Sequence, residues 1–263
     1  VIFVDMCPSY DEINAIKSVA KLITILDHHE TSLDMYQSNY DGKIADKKIV
    51  KKHNNVIFYL DMNKSGCQIS WDYFFPMNTR PWFVDYIGDR DLWLFNLKDS
   101  KAINTGLFKM NKINIQTMNK MINYNENDIN EIKEKGYEEM NRLQKIYDKI
   151  CKTAVHATMT PNDKNKNVYN LWLVSCGDDQ KSEIGNILAN KPINEKINPD
   201  FVAIWRKDPK SNNYWISLRN IDTCVNLNKL AKMYDINGGG HPCASGMTIN
   251  EPNTLETIFP VNK

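Results

Sequence analysis

Short apolar runs that end in an acid organise the first third of the chain. Val1-Ile2-Phe3-Val4-Asp5 is a continuous β-branched and aromatic run, the pattern of a strand buried on both faces of a parallel sheet. Met6-Cys7-Pro8-Ser9 then leads into an amphipathic segment from Asp11 to Ala20, and a second apolar run spans Leu22 to Leu26. Strand, helix and strand in this order predict a crossover that makes the strands parallel and brings Asp5 and Asp27 to one sheet edge. The polar stretch through about Lys52 reads as a helix start followed by a loop, and Val56 to Tyr59 as the next strand. Ser65 to Phe75 is predicted to be a helix whose aromatic side packs on the sheet. Trp82 to Ile87 is a further apolar helical run that delivers Asp89-Arg90-Asp91.

Between Asp128 and Ile150 the residues Ile129, Ile132, Met140, Leu143, Tyr147 and Ile150 recur at three- and four-residue intervals, which predicts one long amphipathic helix with Gly136 as its weak point. It is a candidate interdomain connector, and a helix wholly inside one domain fits the pattern equally. The remainder alternates: strands over Val168–Ser175, Phe201–Arg206 and Tyr214–Arg219, helices over Ser182–Ala189 and Leu227–Tyr234, then Gly238-Gly239-Gly240-His241. The expected division is residues 1–125, a helical connector 126–154, and a smaller α/β domain 155–263.

Composition narrows the function classes. At 263 residues, 42% hydrophobic and 25% charged, the chain is of ordinary globular make-up and long enough for two domains. No window approaches the roughly 18 apolar residues needed to cross a bilayer, so no membrane partner is expected. A net charge of +1 disfavours a strong affinity for long nucleic acid and leaves a small phosphate ligand easier to accommodate. Six cysteines without a Cys-x-x-Cys pair read as free thiols of a reducing compartment, and no charged-then-apolar leader opens the chain, so a cytoplasmic location is expected. The Asn and Lys run at 162–167 reads as compositional bias.

Asp27-His28-His29 ends the second apolar run, at the strand tip where open α/β sheets keep their chemistry. With Asp5 and Asp89 it makes a set of hard oxygens and imidazole nitrogens, suited to Mn²⁺, Mg²⁺ or Fe²⁺. Such ions activate water and neutralise phosphoryl charge, which makes phosphoester hydrolysis the chemistry to expect. Plainer readings stand beside these. Asp5 could cap a helix, paired histidines are common on surfaces, a glycine run is most often a flexible turn, and a strand-end Arg219 is most often a solvated charge. Against the last two, glycines let backbone N–H groups approach a phosphate, His241 can donate to it, and Arg219 can bind it bidentately.

Taken in order, Val4-Asp5, Leu26-Asp27-His28-His29, Asp89-Arg90-Asp91-Leu92-Trp93, Ser217-Leu218-Arg219 and Gly238-Gly239-Gly240-His241 resemble the motifs of the DHH phosphoesterases, the family of RecJ-like exonucleases and nanoRNases. The resemblance implies an α/β fold: a mainly parallel-sheet DHH domain that carries divalent metals, usually Mn²⁺ with Mg²⁺ as the alternative, joined by a helical connector to a smaller α/β substrate-binding domain. It implies that Asp5 bridges the metals and that His28 and Asp89 bind one of them, with Asp91 a close rival to Asp89. Asp27 would support the histidine pair, His29 would face the phosphate, and Arg219 and His241 with Gly238, Gly239 and Gly240 would hold the substrate. The implied activity is hydrolysis of phosphodiester or phosphomonoester bonds in a nucleotide or short oligonucleotide by a metal-activated water, and a homodimer is compatible with it. The alternative is a degenerate member that binds a nucleotide without turning it over. The family opens with a strand followed by a His and two Asp ligands, whereas the match starts at the second motif, so an N-terminally truncated member is expected. His53, in a Lys-rich polar loop, and His156 are not placed to substitute.

Overall fold

The computed structural model describes residues 1–41, 48–110, 114–161, 167–222 and 224–261. Residues 42–47 of the polar stretch and 162–166 of the Asn and Lys run lie outside them. The chain divides into two compact units, Val1–Leu143 and Gln144–Lys263.

The first unit runs β1 (Ile2–Val4), α1 (Tyr10–Lys17), β2 (Ile23–Asp27), α2 (Glu30–Tyr36), β3 (Lys48–His53) and β4 (Val56–Asp61), followed by α3 (Gly66–Phe74), α4 (Trp82–Asp91), α5 (Ser100–Lys109) and α6 (Ile115–Met121). Its sheet has the order β1-β2-β4-β3, with β1 and β4 parallel to β2 and β3 antiparallel to β4. Every residue of β2 is buried, which is why Ile23, Ile25 and Leu26 dominate it and Thr24 and Asp27 are its only polar positions. β1, expected to be buried on both faces, is instead the edge strand, with Ile2 48% and Val4 43% exposed. A capping box at Ser9, closed by Glu12, starts α1 between these two strands.

One element corrects the sequence reading outright. The stretch expected to continue as a loop to Lys52 forms β3, in which Ile49 is buried in the core while Lys48, Lys51 and Lys52 are exposed. Charged residues on an edge strand conceal its period and discourage pairing with another chain. His53 therefore lies at the end of a strand, with Nε2 2.9 Å from the Tyr36 hydroxyl and its ring against Phe58.

The long helix α7 (Glu126–Cys151) passes through Gly136 without a break. A Cβ at Gly136 would lie 1.8 Å from the Ala102 carbonyl oxygen, and one at Gly106 2.1 Å from that of Ile132. The expected weak point is thus where the backbones of α5 and α7 touch. The division between the units falls inside α7, after Leu143.

The second unit contains β5 (Val155–Met159), β6 (Tyr169–Ser175), α8 (Lys181–Ala189), β7 (Phe201–Lys207), β8 (Tyr214–Arg219), α9 (Leu227–Lys232), β9 (Gly239–His241), β10 (Ala244–Ile249) and α10 (Leu255–Ile258). The sheet order is β5-β6-β7-β8-β10-β9, and only β6 and β7 are parallel. One face packs Leu218, Ile216 and Met247 on Leu227, Leu230 and Ala231 of α9, and the other packs Val202 and Ile204 on Ile184 and Leu188 of α8. The α/β class expected from the sequence holds, with a mainly parallel first sheet and a mixed second one. Among the described residues no helix is long and apolar enough to cross a membrane.

Candidate active site

The parallel pairing of β1 and β2 carries both chains to the same edge, where the Asp5 N–H donates to the Leu26 carbonyl at 2.8 Å. Asp5 takes the left-handed conformation, φ 59°, and so leaves the strand direction at once. Its carboxylate lies against the first turn of α3: a Cβ on Gly66 would sit 2.4 Å from Asp5 Oδ1. His28 is 3% exposed, and its Nε2 is 3.1 Å from Asp5 Oδ1 and 3.3 Å from Asp91 Oδ2. Asp91 is the last residue of α4.

Asp27 works behind this group. Its Oδ1 accepts from the His28 backbone N–H at 2.8 Å and from His29 Nδ1 at 2.7 Å, and its Oδ2 accepts from the Ser32 hydroxyl. The support expected from Asp27 thus reaches the ring of His29 and the backbone of His28. Burial alone would raise the Asp27 carboxyl, but the bonds from His29, Ser32 and the His28 amide outweigh it and hold the group below the usual carboxylate range. The same bond to Asp27 raises His29 against the opposing effect of burial, with Asp5 and Asp91 adding to the rise. Donor atoms of Asp5, Asp27, His28 and His29 lie within 4.8 Å of one another.

Asp89 stands elsewhere. It is 6% exposed, and its two oxygens accept from the backbone N–H groups of Asn96 at 2.9 Å and Leu97 at 3.1 Å, folding back the chain after α4. Of the two rivals it is Asp91 that the geometry brings to His28. Partial burial raises the Asp91 carboxyl; His28 and His29 pull it down and Asp5 pushes it up, with a net upward shift.

The donor set of Asp5, His28 and Asp91, two carboxylates and an imidazole, fits a hard or borderline divalent cation. Thiolates do not compete nearby. Burial, with Asp27 adding, pushes the Cys7 thiol up to about 12, and burial likewise raises Cys67. The helices that position these groups are braced together. Arg80 Nε and Nη2 donate to both oxygens of Asp72 on α3 at 2.8 and 2.7 Å, its Nη1 donates to Asp85 on α4 at 2.9 Å, and Lys64 donates to Asp72 at 2.6 Å. Ser32 and Gly66 went unrecognised as site residues in the sequence. A signal for the second existed, since Ser65-x-x-Gln68 is a capping box that fixes the first turn of α3.

In the second unit, strand register assembles another group. Arg219 on β8 pairs with Ala244 on β10, and Ala244 pairs with His241 on β9. Directly opposed residues project to one face, so Arg219 and His241 flank the small Ala244 in a single row. Arg219 Nη1 donates to the carbonyls of Leu218 at 2.8 Å and Ser245 at 3.4 Å, and burial lowers its pKa with no acidic group opposing the effect. The glycine run is not a free loop. Gly239 and Gly240 belong to β9, Gly240 has φ 145°, and the Gly238 N–H donates to the Asp235 carbonyl at 2.8 Å, closing the turn that enters the strand.

The first unit carries its polar group at the tip of a mainly parallel sheet, and the second sets its own along a mixed one. Residues 165–260 match the family model of the DHHA1 domain, which bears out the resemblance to the DHH/DHHA1 phosphoesterases. The chain is 25% identical over 252 residues to an uncharacterized protein, R106, of Acanthamoeba polyphaga mimivirus, with 95% of this chain and 53% of that protein covered. It therefore spans about half the length of that curated relative. Among solved structures, the pGpG-specific phosphodiesterase PggH from Vibrio cholerae aligns over 91% of this chain and 83% of its own at 13% identity and a TM-score of 0.41. At that score the likeness carries no inference about the site.

Proposed function

We propose that the chain is a metal-dependent phosphoesterase acting on a small nucleotide or a short oligonucleotide. The observation that carries this reading is the buried His28 Nε2 standing between the carboxylates of Asp5 and Asp91 at the tip of a parallel sheet. Asp5, His28 and Asp91 would hold the cation, with Mn²⁺ the best fit and Mg²⁺ the alternative. When bound there, such an ion supplies positive charge to the phosphoryl oxygens and acidifies the attacking water. Asp27 orients the His29 ring and favours its protonated form, so that His29 can hold a phosphoryl oxygen or pass a proton to the leaving oxygen. Within the second unit, Arg219 and His241 are suited to hold a phosphate, since the guanidinium lacks a carboxylate partner among the described residues.

Release of mononucleotide from a labelled dinucleotide, measured with and without Mn²⁺, tests the reading. Turnover should require the ion and should fall by about 100-fold or more in His28→Ala and in Asp5→Asn, each of which removes a ligand. Full activity in either variant would sink the assignment.

A further inference from the structure

Gly185 sits in the middle of α8, where glycine is a poorer helix former than alanine. Its neighbours Ile184 and Leu188 are buried against the sheet, so this is a packed turn of the helix with no need of local looseness. What occupies the space in front of Gly185 is Arg219. A Cβ at position 185 would lie 2.5 Å from Arg219 Cγ and 2.8 Å from Arg219 Cβ, with Ile204 Cδ1 at 3.3 Å. These are the near atoms of the arginine stem, so the clash could not be relieved by turning the guanidinium alone. Arg219 cannot step aside within its strand either, because its backbone is fixed between Val202 on β7 and Ala244 on β10.

We propose that Gly185 is a positioning residue for Arg219: it admits the arginine stem beneath α8 and thereby fixes the direction in which the guanidinium meets a nucleotide phosphate. The inference rests on the reading of Arg219 as a phosphate-binding group. A free arginine side chain has many rotamers to lose on binding an anion, and one held by its stem has fewer. A smaller ordering cost appears directly as affinity. The helix gives up intrinsic stability at position 185, and Arg219 gains a single pose.

The experiment is a double-mutant cycle on the full chain, with binding of a 5′-phosphorylated dinucleotide read in EDTA so that no turnover intervenes. Gly185→Ala should weaken binding about tenfold, the loss expected when one charged hydrogen bond is misplaced. In the Arg219→Ala background the same substitution should cause no further loss, and Mn²⁺ affinity should be unchanged in all three variants. If Gly185→Ala weakens binding equally in both backgrounds, its effect is not exerted through Arg219 and the proposal is overturned. Should Arg219→Ala lose binding while Gly185→Ala keeps it, the proposal alone falls. Wild-type binding by Arg219→Ala would remove both the proposal and the reading of Arg219 beneath it. If Gly185→Ala does not fold by circular dichroism, the proposal still requires that Gly185→Ala with Arg219→Gly fold, because both near atoms of the stem are then gone; an unfolded double variant overturns it.

Discussion

The two units gather polar residues by opposite routes. In the first, acids and imidazoles arrive at the tips of parallel strands and at the end of α4, and each is answered by another: Asp27 by His29 and Ser32, His28 by Asp5 and Asp91. In the second, Arg219 and His241 are set in one row across antiparallel strands by register, and the guanidinium donates to carbonyl oxygens, with no carboxylate partner among the described residues. One group is rich in oxygen donors and wants a cation. The other holds positive charge away from water and wants an anion. The difference between the two groups follows from strand chemistry. Tips present loops and helix ends that can converge on a point, whereas a sheet face offers a flat row with fixed spacing.

The sharpest way to break this contrast is to exchange the roles of the two acids on α4. Asp91→Asn should weaken Mn²⁺ binding and turnover by about 100-fold while leaving thermal stability close to wild type. Asp89→Asn should do the reverse, losing about 1–3 kcal/mol of stability as the charge-assisted bonds to Asn96 and Leu97 are weakened, with Mn²⁺ affinity nearly kept. Titration calorimetry and thermal melts on the pair decide it; the opposite pattern would return the ligand role to Asp89.

A smaller effect tests the row in the second unit. Ala244→Leu puts a bulky side chain between Arg219 and His241 and should raise KM about tenfold with kcat retained, as expected when binding is lost equally from ground and transition states. An unchanged KM would mean that no ligand lies over this row.

The smallest expected effect concerns the brace between α3 and α4. The Arg80 guanidinium, with Lys64 adding and partial burial opposing, holds Asp72 below its ordinary carboxyl range. A carboxylate whose folded pKa is depressed stabilises the fold above its unfolded value and loses that contribution as pH falls through the folded one. Urea unfolding should therefore show wild type about 1 kcal/mol more stable than Asp72→Asn from about pH 5 upward, the margin of a small ion-pair network. That margin should shrink below about pH 4, and a margin independent of pH would exclude the carboxylate charge as its source.

How far the sequence disclosed these features depended on burial. β2 was legible because all five of its residues are buried and its apolar run admits few other readings. β8 was legible to the residue, Tyr214 to Arg219, with Ile216 and Leu218 marking its buried face. β3 was hidden by its exposed lysines, β9 and β10 by glycine, alanine and serine, which carry little strand signal yet make the flat row beside Arg219. Asp89 and Asp91 could not be separated because they lie two residues apart on one helix end, and only the chain reversal at Asn96 and Leu97 assigns the first to the loop. Gly185 was invisible for a different reason: it matters through what it does not occupy, and the occupant lies far away in the sequence.

Position 5 joins two demands that no other amino acid meets together. Its backbone has φ 59°, a region open to glycine, asparagine and aspartate and strained for a β-branched residue. The proposed cation-binding role asks in addition for an anionic oxygen donor short enough to fit between His28 and the first turn of α3. Asparagine and glycine satisfy the first demand and fail the second, and glutamate keeps the charge but is less suited to the dihedral and one methylene too long. In a saturation library this codon should therefore show two nested tolerance sets, a narrow one for folding and, inside it, a single acceptable letter for turnover.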